Sequence, residues 1–251
     1  MTRVGNEAVI MTTNLGKKYG QVLAVDGLGL EVRKGEVFGF LGPNGAGKTT
    51  TIKMLMGMLA PSGGKAKIGG MDCFADRVAV KRVVGYLPDV PVFYDYLRGR
   101  EILRFMGQMH GIERGELERR QGELMEKLGL SEAAEEYAIN YSMGMKKKLG
   151  LACALVHDPP VLILDEPTNG LDPRASRQIQ ELITESAAGG RTIFLSTHLL
   201  HMAERLCHRV AIIDRGKLAA VGKIEELRGT LAPGGSLEEV FFKVTEEQEK
   251  E

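Results

Sequence analysis

The fold of this chain is decided by the stretch Val37-Phe38-Gly39-Phe40-Leu41-Gly42-Pro43-Asn44-Gly45-Ala46-Gly47-Lys48-Thr49-Thr50. Its apolar start predicts a short buried strand, its glycines predict a turn, and the apolar residues that follow predict a helix. The segment from Gly42 to Thr49 fits the pattern G-x-x-x-x-G-K-[ST], in which glycines let successive backbone N–H groups point at phosphate oxygens. The sequence therefore predicts a phosphate-binding loop that runs into a helix N-terminus, where anions bind favourably.

Two side chains of this loop have defined tasks in phosphate chemistry. Lys48 is expected to reach the β- and γ-phosphates of a nucleotide, and the hydroxyl of Thr49 is expected to bind Mg²⁺. The nucleotide contacts that we predict from the loop involve Gly42, Asn44, Gly45, Ala46, Gly47, Lys48, Thr49 and Thr50.

A second group of polar residues follows two predicted strands further along the chain. Asp165 and Glu166 come directly after the apolar run Val161–Leu164, which is typical of a strand buried on both faces. Ligands of open α/β sheets bind at the carboxyl ends of the strands, so Asp165 is predicted to hold Mg²⁺ and Glu166 to orient or deprotonate the attacking water. His198 follows the strand Thr192–Ser196 and is predicted to emerge at the same edge, near the γ-phosphate.

Composition narrows the class of protein. The 251 residues carry 33 basic and 33 acidic side chains, so the net charge is zero and no nucleic-acid partner is expected. No apolar run reaches the roughly 20 residues that a transmembrane helix needs. Cys73, Cys153 and Cys207 are far apart and odd in number, which is typical of a reducing cytosol.

The order of the predicted elements indicates an α/β fold with a phosphate-loop core and a mostly parallel sheet. An antiparallel β subdomain precedes the loop, over about residues 7–41, and an α-helical subdomain is inserted later. We predict one domain, with a core at 1–88 and 159–235, a helical subdomain at about 89–158, and a C-terminal helix and tail at 236–251. The tail from Glu246 onward is charged and expected to be frayed.

Together these motifs resemble the nucleotide-binding subunits of ATP-binding cassette (ABC) transporters over about residues 9–245. Gly42–Thr50 and Val161–Pro167 are similar to the two Walker motifs, and Asn169–Asp172 is similar to the D-loop. Tyr141–Met145 occupies the position of the family's signature sequence. The resemblance implies that Tyr19 stacks on adenine and that His198 is the switch histidine. It also implies that Ser142, Gly144 and Asp172 contribute to nucleotide binding. From the residues alone, Tyr19 is equally well explained as a half-buried aromatic of the sheet.

The resemblance also implies a mechanism. Two such subunits dimerise head to tail around two ATP molecules, so that each nucleotide lies between the phosphate loop of one copy and the signature of the other. ATP binds the closed dimer more tightly than the open one, and this difference drives a separate membrane permease. The expected cofactors are ATP and Mg²⁺, the expected catalytic residues are Glu166, His198 and Lys48, and the expected location is the cytoplasmic face of the cell membrane, as a peripheral subunit.

This sequence departs from the family's pattern at two sites. The signature usually reads Leu-Ser-Gly-Gly-Gln, whereas here Tyr141, Met143 and Met145 replace three of its residues and only Ser142 and Gly144 remain. We expect the site to work, since the retained hydroxyl and backbone N–H are the groups that face the γ-phosphate.

The second departure is Asp89, which stands where the family's Q-loop has glutamine. Asp89 either reaches Mg²⁺ through water or weakens the coupling to the membrane partner, and our hypothesis is that it is a working substitute. The following segment 90–96 is aromatic and either packs within the helical subdomain or borders the groove that receives the permease. Lys146, Lys147 and Lys148 are interpreted as a solvated helix face, with a role toward the nucleotide or a partner as the alternative.

Two other functions remain open at the level of sequence. A soluble ABC ATPase of DNA repair, chromosome maintenance or translation usually carries coiled coils, paired cysteines or a second cassette, and this sequence has none of these. A phosphate-loop kinase would not explain Ser142, Gly144 or His198. The segment Leu237–Val244 resembles the ending of exporter-type members, which favours export.

Overall fold

The computed structural model describes residues 7–247, so the expected frayed tail lies outside the described part from residue 248 onward. The strands, in chain order, are β1 (Ala8–Tyr19), β2 (Val22–Arg33), β3 (Val37–Leu41), β4 (Gly63–Ile68), β5 (Met71–Asp72), β6 (Val84–Leu87), β7 (Val161–Asp165), β8 (Thr192–Thr197), β9 (Arg209–Asp214) and β10 (Lys217–Lys223). The helices are α1 (Lys48–Leu55), α2 (Arg77–Val83), α3 (Gly99–Met109), α4 (Arg114–Lys127), α5 (Met143–Leu155), α6 (Pro173–Ala188), α7 (Leu200–Leu206), α8 (Ile224–Leu231) and α9 (Leu237–Glu247).

The strands form two sheets. The N-terminal sheet has the order β2-β1-β4-β5 and is antiparallel throughout. The larger sheet has the order β10-β9-β3-β8-β7-β6 and is parallel except for the β9–β10 pair at its edge. Its central strands β3, β7 and β8 are buried at every position, which explains why their sequences are continuous apolar runs.

Each face of the larger sheet is covered by a separate apolar core. On one face Phe40 and Phe194 pack with Ile52 of α1 and with the N-terminal sheet. On the other face Leu164 and Leu195 pack with apolar residues of α3, α4, α5 and α6. This arrangement confirms the predicted α/β fold with a mostly parallel sheet and an antiparallel β region at the N-terminus.

The connections between strands position the remaining helices. Helices α3, α4 and α5 all lie between β6 and β7, where the inserted helical subdomain is predicted; its exact boundaries stay a prediction. Helices α8 and α9 pack on β9 around Ile212, Leu227 and Val240. Among residues 7–247, none of the helices combines the length and the apolar character that a membrane span requires.

Candidate nucleotide-binding and hydrolysis site

The glycine-rich loop connects β3 directly to α1, as the sequence predicts. Gly47 precedes the helix with φ 106°, a left-handed conformation that glycine adopts without steric cost. A Cβ atom on Gly42 would overlap the backbone oxygen of Ile213 on β9, so no larger residue fits there. The loop is therefore shaped by backbone constraints that glycine meets, and it ends at the N-terminus of α1, where backbone N–H groups lack a partner within the helix.

Lys48 is the first residue of α1, and only 7% of it is exposed. Its ammonium group donates hydrogen bonds to the backbone oxygens of Gly42, at 2.6 Å, and Pro43, at 3.1 Å. It also lies 3.9 Å from Oε1 of Glu166. The lysine thus spans the inside of the loop and faces the acidic residues of β7.

Thr49 and Asp165 meet at the boundary between α1 and β7. The Thr49 hydroxyl donates a hydrogen bond to Oδ2 of Asp165 at 3.4 Å. The other carboxylate oxygen, Oδ1, is buried and has no hydrogen-bond partner among the described residues. A buried carboxylate oxygen without a donor, beside a hydroxyl, matches the oxygen ligands that Mg²⁺ prefers.

Glu166 and His198 form a contact between the ends of β7 and β8. The backbone N–H of Glu166 donates to the carbonyl of Ser196 at 2.9 Å, and the residue has φ 46°, which turns the chain out of the strand. Oε2 of Glu166 lies 2.9 Å from Nδ1 of His198, whose side chain is 40% exposed. A buried carboxylate and a partly exposed imidazole therefore stand together at the mouth of the site.

The buried position of these groups changes their titration. Burial lowers the pKa of Lys48, and the neighbouring Glu166, Asp165 and Asp89 oppose that shift. Burial raises the pKa of Asp165, the nearby hydroxyl of Ser196 opposes that rise, and the negative charges of Glu166 and Asp89 add to it. Two oppositely shifted groups side by side, at the carboxyl ends of parallel strands, are typical of a functional site.

Three of the predicted nucleotide ligands lie in a second group. Ser142 is exposed at the N-cap of α5, where its Oγ accepts a hydrogen bond from the N–H of Met145 at 3.2 Å. A Cβ atom on Gly144 would come within 3.6 Å of the Leu171 side chain. Asp172 is exposed and caps α6, accepting from the N–H groups of Arg174 and Ala175 at 2.9 Å. Lys48, Thr49, Asp165, Glu166 and His198 thus form a chain of direct contacts, whereas Ser142 and Gly144 lie together at the start of α5 and Asp172 follows Leu171, which Gly144 approaches.

The altered first residue of the signature has a structural explanation. Tyr141 is buried, and its hydroxyl donates to the carbonyl of Ala133 at 2.7 Å. Gly99, the first residue of α3, lacks a side chain where the Tyr141 ring sits, and any Cβ there would overlap the hydroxyl. The tyrosine therefore fixes the turn that presents Ser142 to solvent.

The contacts described for Tyr19 involve neighbouring residues of the N-terminal sheet and not the residues of either group. It ends β1, pairs with Val22 across the turn to β2, and carries the Lys17 ammonium 5.3 Å from its ring centroid. Tyr19 is 48% exposed, as expected for a half-buried aromatic of the sheet, and its stacking on adenine stays a prediction.

The structure corrects the interpretation of the three lysines of α5. Lys147 is 1% exposed, so a solvated face describes neither its position nor its contacts. Its ammonium group lies 3.2 Å from Oδ1 of Asp89 and also donates to the backbone carbonyl of Glu166. The signal for this was available in the sequence, because Lys147 is four and seven residues from Leu151 and Ala154, on one helix face.

A glycine loop at a helix N-terminus, next to an acidic pair at the end of a parallel strand two positions away in the same sheet, defines a phosphate-loop nucleotide hydrolase. A sequence profile described as ABC transporter matches residues 25–169. The chain is 42% identical over 211 residues to the bacitracin transport ATP-binding protein BcrA of Bacillus licheniformis, covering 84% of this chain and 68% of that protein. It is 39% identical over 222 residues to the daunorubicin/doxorubicin resistance ATP-binding protein DrrA of Streptomyces peucetius, covering 88% and 67%.

Solved structures agree with this relationship. The structure of an ATP-binding subunit of an ABC transporter superimposes with a TM-score of 0.89 at 33% identity, covering 94% of this chain and 99% of that one. A dimeric ATP-binding cassette bound to ADP and Pi shares the fold, with a TM-score of 0.78 at 21% identity. The chain therefore belongs to the ATP-binding subunits of ABC transporters, and its activity is ATP hydrolysis.

Proposed function

We propose that this chain forms a head-to-tail pair around two ATP molecules and powers the export of a substrate through a separate membrane permease. The observation that carries this proposal is the division of the predicted ligands into two groups within one copy. The first group comprises Lys48, Thr49, Asp165, Glu166 and His198, whereas Ser142 is exposed beside Gly144 and Asp172. We infer that a nucleotide touches both groups between two copies, because Ser142 and Asp172 are exposed at the surface.

Mg²⁺ is assigned to the oxygens of Thr49 and Asp165. The unpartnered Oδ1 of Asp165 supports this assignment, since a buried carboxylate oxygen needs a cation or a donor. When bound, the ion would neutralise charge on the β- and γ-phosphates. A contact of Asp89 with the ion through water stays a prediction; its charge acts on both Lys48 and Asp165.

The remaining residues of the first group divide the work of hydrolysis. Lys48 stabilises the negative charge of the phosphates in the water-poor loop, where an ammonium acts strongly. Glu166 orients the attacking water and accepts its proton, and His198 holds the Glu166 carboxylate at 2.9 Å while facing the γ-phosphate. Tyr19 stacks on the adenine ring, for which its exposed position on β1 leaves room.

The permease is proposed to dock on an apolar groove beside the first group. The groove has a volume of about 230 Å³ and lies between the segment after β6 and helices α3 and α5. Its lining includes Pro91, Phe93, Leu97, Phe105 and Met106. Val92 and Tyr94 project from its rim and are 85% and 76% exposed. An exposed apolar rim of this kind is typical of a protein interface, and it would locate the chain at the cytoplasmic face of the membrane.

The names of related proteins favour export over import. BcrA is named for bacitracin transport and DrrA for daunorubicin/doxorubicin resistance, and the Nod factor export ATP-binding protein I of Ralstonia nicotianae is 38% identical over 224 residues. The substrate itself is set by the permease. A soluble ABC ATPase without a permease is the competing function, and the exposed apolar groove is the observation against it.

The test of the dimer uses Glu166→Gln, which keeps the shape of the side chain and removes its basicity. We expect hydrolysis to fall about 10²–10³-fold, as when one transition-state group is removed, while Mg²⁺–ATP converts the variant to a stable dimer in sedimentation experiments. Glu132→Gln, at an exposed glutamate, is the matched control and should behave as the wild type. Wild-type turnover in Glu166→Gln, or a monomer at saturating ATP, would refute the proposal.

A genetic experiment tests the permease and the direction of transport. Three strains are compared: one with the gene deleted, one complemented by the wild type, and one complemented by Glu166→Gln. The quantity measured is the accumulation of amphipathic drugs in the cell. We expect only the wild type to restore efflux and to purify with a membrane subunit. Equal accumulation in all strains, together with ATPase activity in the soluble fraction only, would favour the soluble alternative.

A further inference from the structure

A buried lysine lies between the acidic residue of the altered Q-loop and the hydrolytic centre. The Lys147 ammonium is 3.2 Å from Oδ1 of Asp89, and the same oxygen accepts a hydrogen bond from Nδ2 of Asn169 at 3.3 Å. The Lys147 side chain is 1% exposed, whereas that of Asp89 is 41% exposed. An ammonium group so deeply buried requires an anionic partner, and Asp89 is that partner.

The same ammonium group also holds the backbone of Glu166. It donates to the carbonyl oxygen of Glu166, which in addition accepts from the N–H of Asn169 at 3.2 Å. Glu166 has φ 46°, an unfavourable conformation for a residue with a Cβ atom, so it persists only where its surroundings hold it. Lys147 supplies one of those restraints, and the direction of the Glu166 carboxylate follows from the backbone that carries it.

The charges around this lysine also depend on it. The carboxylates of Asp89, Asp165 and Glu166 interact electrostatically with the Lys147 ammonium group. Without Lys147, Lys48 would remain to compensate these three negative charges. Burial lowers the pKa of Lys147, and its hydrogen bond to Asp89 opposes that shift. The aspartate in place of the family's glutamine therefore has a compensating cation in the same chain.

Lys147 belongs to α5, whose N-cap is Ser142. In the dimer of the proposed function, Ser142 faces the ATP of the other copy, while Lys147, one and a half turns along the helix, contacts the hydrolytic centre of its own copy. We propose that Lys147 is a positioning residue that fixes the backbone of Glu166, neutralises Asp89, and joins α5 to the hydrolytic centre. This inference rests on the proposed function for its link between the two nucleotides.

The test compares Lys147→Met with wild type in steady-state ATP hydrolysis. Methionine keeps the buried stem and removes the ammonium group, so we expect kcat to fall about 10²-fold, as when a reacting group is displaced by about 1 Å, with KM for ATP changed less than about twofold. Adding Asp89→Asn removes the unpaired charge and should restore part of the loss. Lys146→Met is the matched control, since the neighbouring lysine points about 100° away around the helix.

Wild-type kcat in folded Lys147→Met would overturn the inference, because a purely structural lysine changes the folded fraction and not the turnover of folded enzyme. If Lys147→Met does not fold, the double variant Lys147→Met/Asp89→Asn is compared with Asp89→Asn; a kcat about tenfold lower supports the inference, and an equal kcat overturns it. The ATP-induced dimer of Glu166→Gln separates the two proposals. If that dimer forms and Lys147→Met hydrolyses normally, only this inference fails; if no dimer forms, the proposed function fails.

Discussion

His157 follows α5 with its imidazole ring stacked on that of His110. The ring centroids are 3.7 Å apart and the rings are nearly parallel, with an interplanar angle of 10°. Burial, reinforced by the neighbouring imidazole of His110, lowers the pKa of His157 to about 4. The folded protein therefore holds this residue neutral over a range in which the unfolded chain takes up a proton.

This shift predicts a loss of stability in mild acid. Above a pH of about 6.5 both states are neutral, and between about 6.5 and about 4 only the unfolded state is protonated, so the free energy of unfolding falls as the pH is lowered. From about pH 7.5 to about pH 5 we expect a loss of about 1–2 kcal/mol from this residue, measured by urea unfolding. His157→Phe keeps an aromatic ring against His110. Its free energy of unfolding should fall over the same pH range by about 1–2 kcal/mol less than that of the wild type. An identical pH dependence in both proteins would contradict the prediction.

The residue types predicted the chemical roles at this site better than they predicted which residues contact each other. The tasks expected of Lys48, Thr49, Asp165 and Glu166 follow from the motifs, and the structure brings these residues together. The contact between Lys147 and Asp89 joins residues 58 positions apart, so no local pattern predicts it. Three consecutive lysines suggest a solvated face, although the spacing of Lys147 from Leu151 and Ala154 places it on the apolar side of α5, which packs against β6.

At the scale of elements, the exposed segment between β6 and α3 gives a prediction about the partner. Val92→Glu changes a residue that is 85% exposed, so stability and the ATPase activity of the isolated chain should stay the same. A charge on the apolar rim should weaken association with the permease by about tenfold or more, as for an interface residue of importance. The affinity of each chain is measured by titration with detergent-solubilised permease. Equal affinity of the wild type and Val92→Glu would contradict the prediction.

The matched control for this variant is Val78→Glu. Val78 is 66% exposed on α2 and lies outside the groove, so it adds the same charge to another surface. Weaker binding in both variants would indicate a general effect of charge near a membrane. The groove would then no longer be supported as the docking site of the permease.

The elements that sequence reasoning left unassigned are short or lie at edges. Helix α2 has seven residues, of which only Val80 is buried, so it carries no helical stripe. Strand β10 is an edge strand in which no residue is fully buried, and its pairing with β9 decides its conformation. The buried strands β3, β7 and β8 were accessible to sequence reasoning because each has a strong apolar pattern.

At the scale of the whole molecule, the division of ligands between two groups predicts complementation between inactive chains. Lys48→Ala removes the phosphate ligand. Ser142→Asp keeps an N-cap acceptor for α5 but repels the γ-phosphate of the other copy's ATP. Each variant alone should be inactive, whereas an equimolar mixture should regain about a quarter of wild-type turnover, because half of the dimers are mixed and each contains one complete site.

The control for this mixture is Ser142→Asn, which caps the helix without adding charge. It should retain most of the activity alone, which shows that the loss in Ser142→Asp comes from repulsion and not from a frayed α5. A mixture no more active than its components would mean that each chain builds its site by itself.

Glu166 has a left-handed backbone, φ 46°, that a side chain with a Cβ atom adopts at a penalty of about 1–2 kcal/mol. Asparagine and glycine would occupy the same position with less strain. A duplicated copy that no longer had to hydrolyse ATP would thus gain folding stability by replacing this glutamate. If the chain ever pairs with such a diverged copy, we expect one subunit to be more active and less stable, and the other to be less active and more stable.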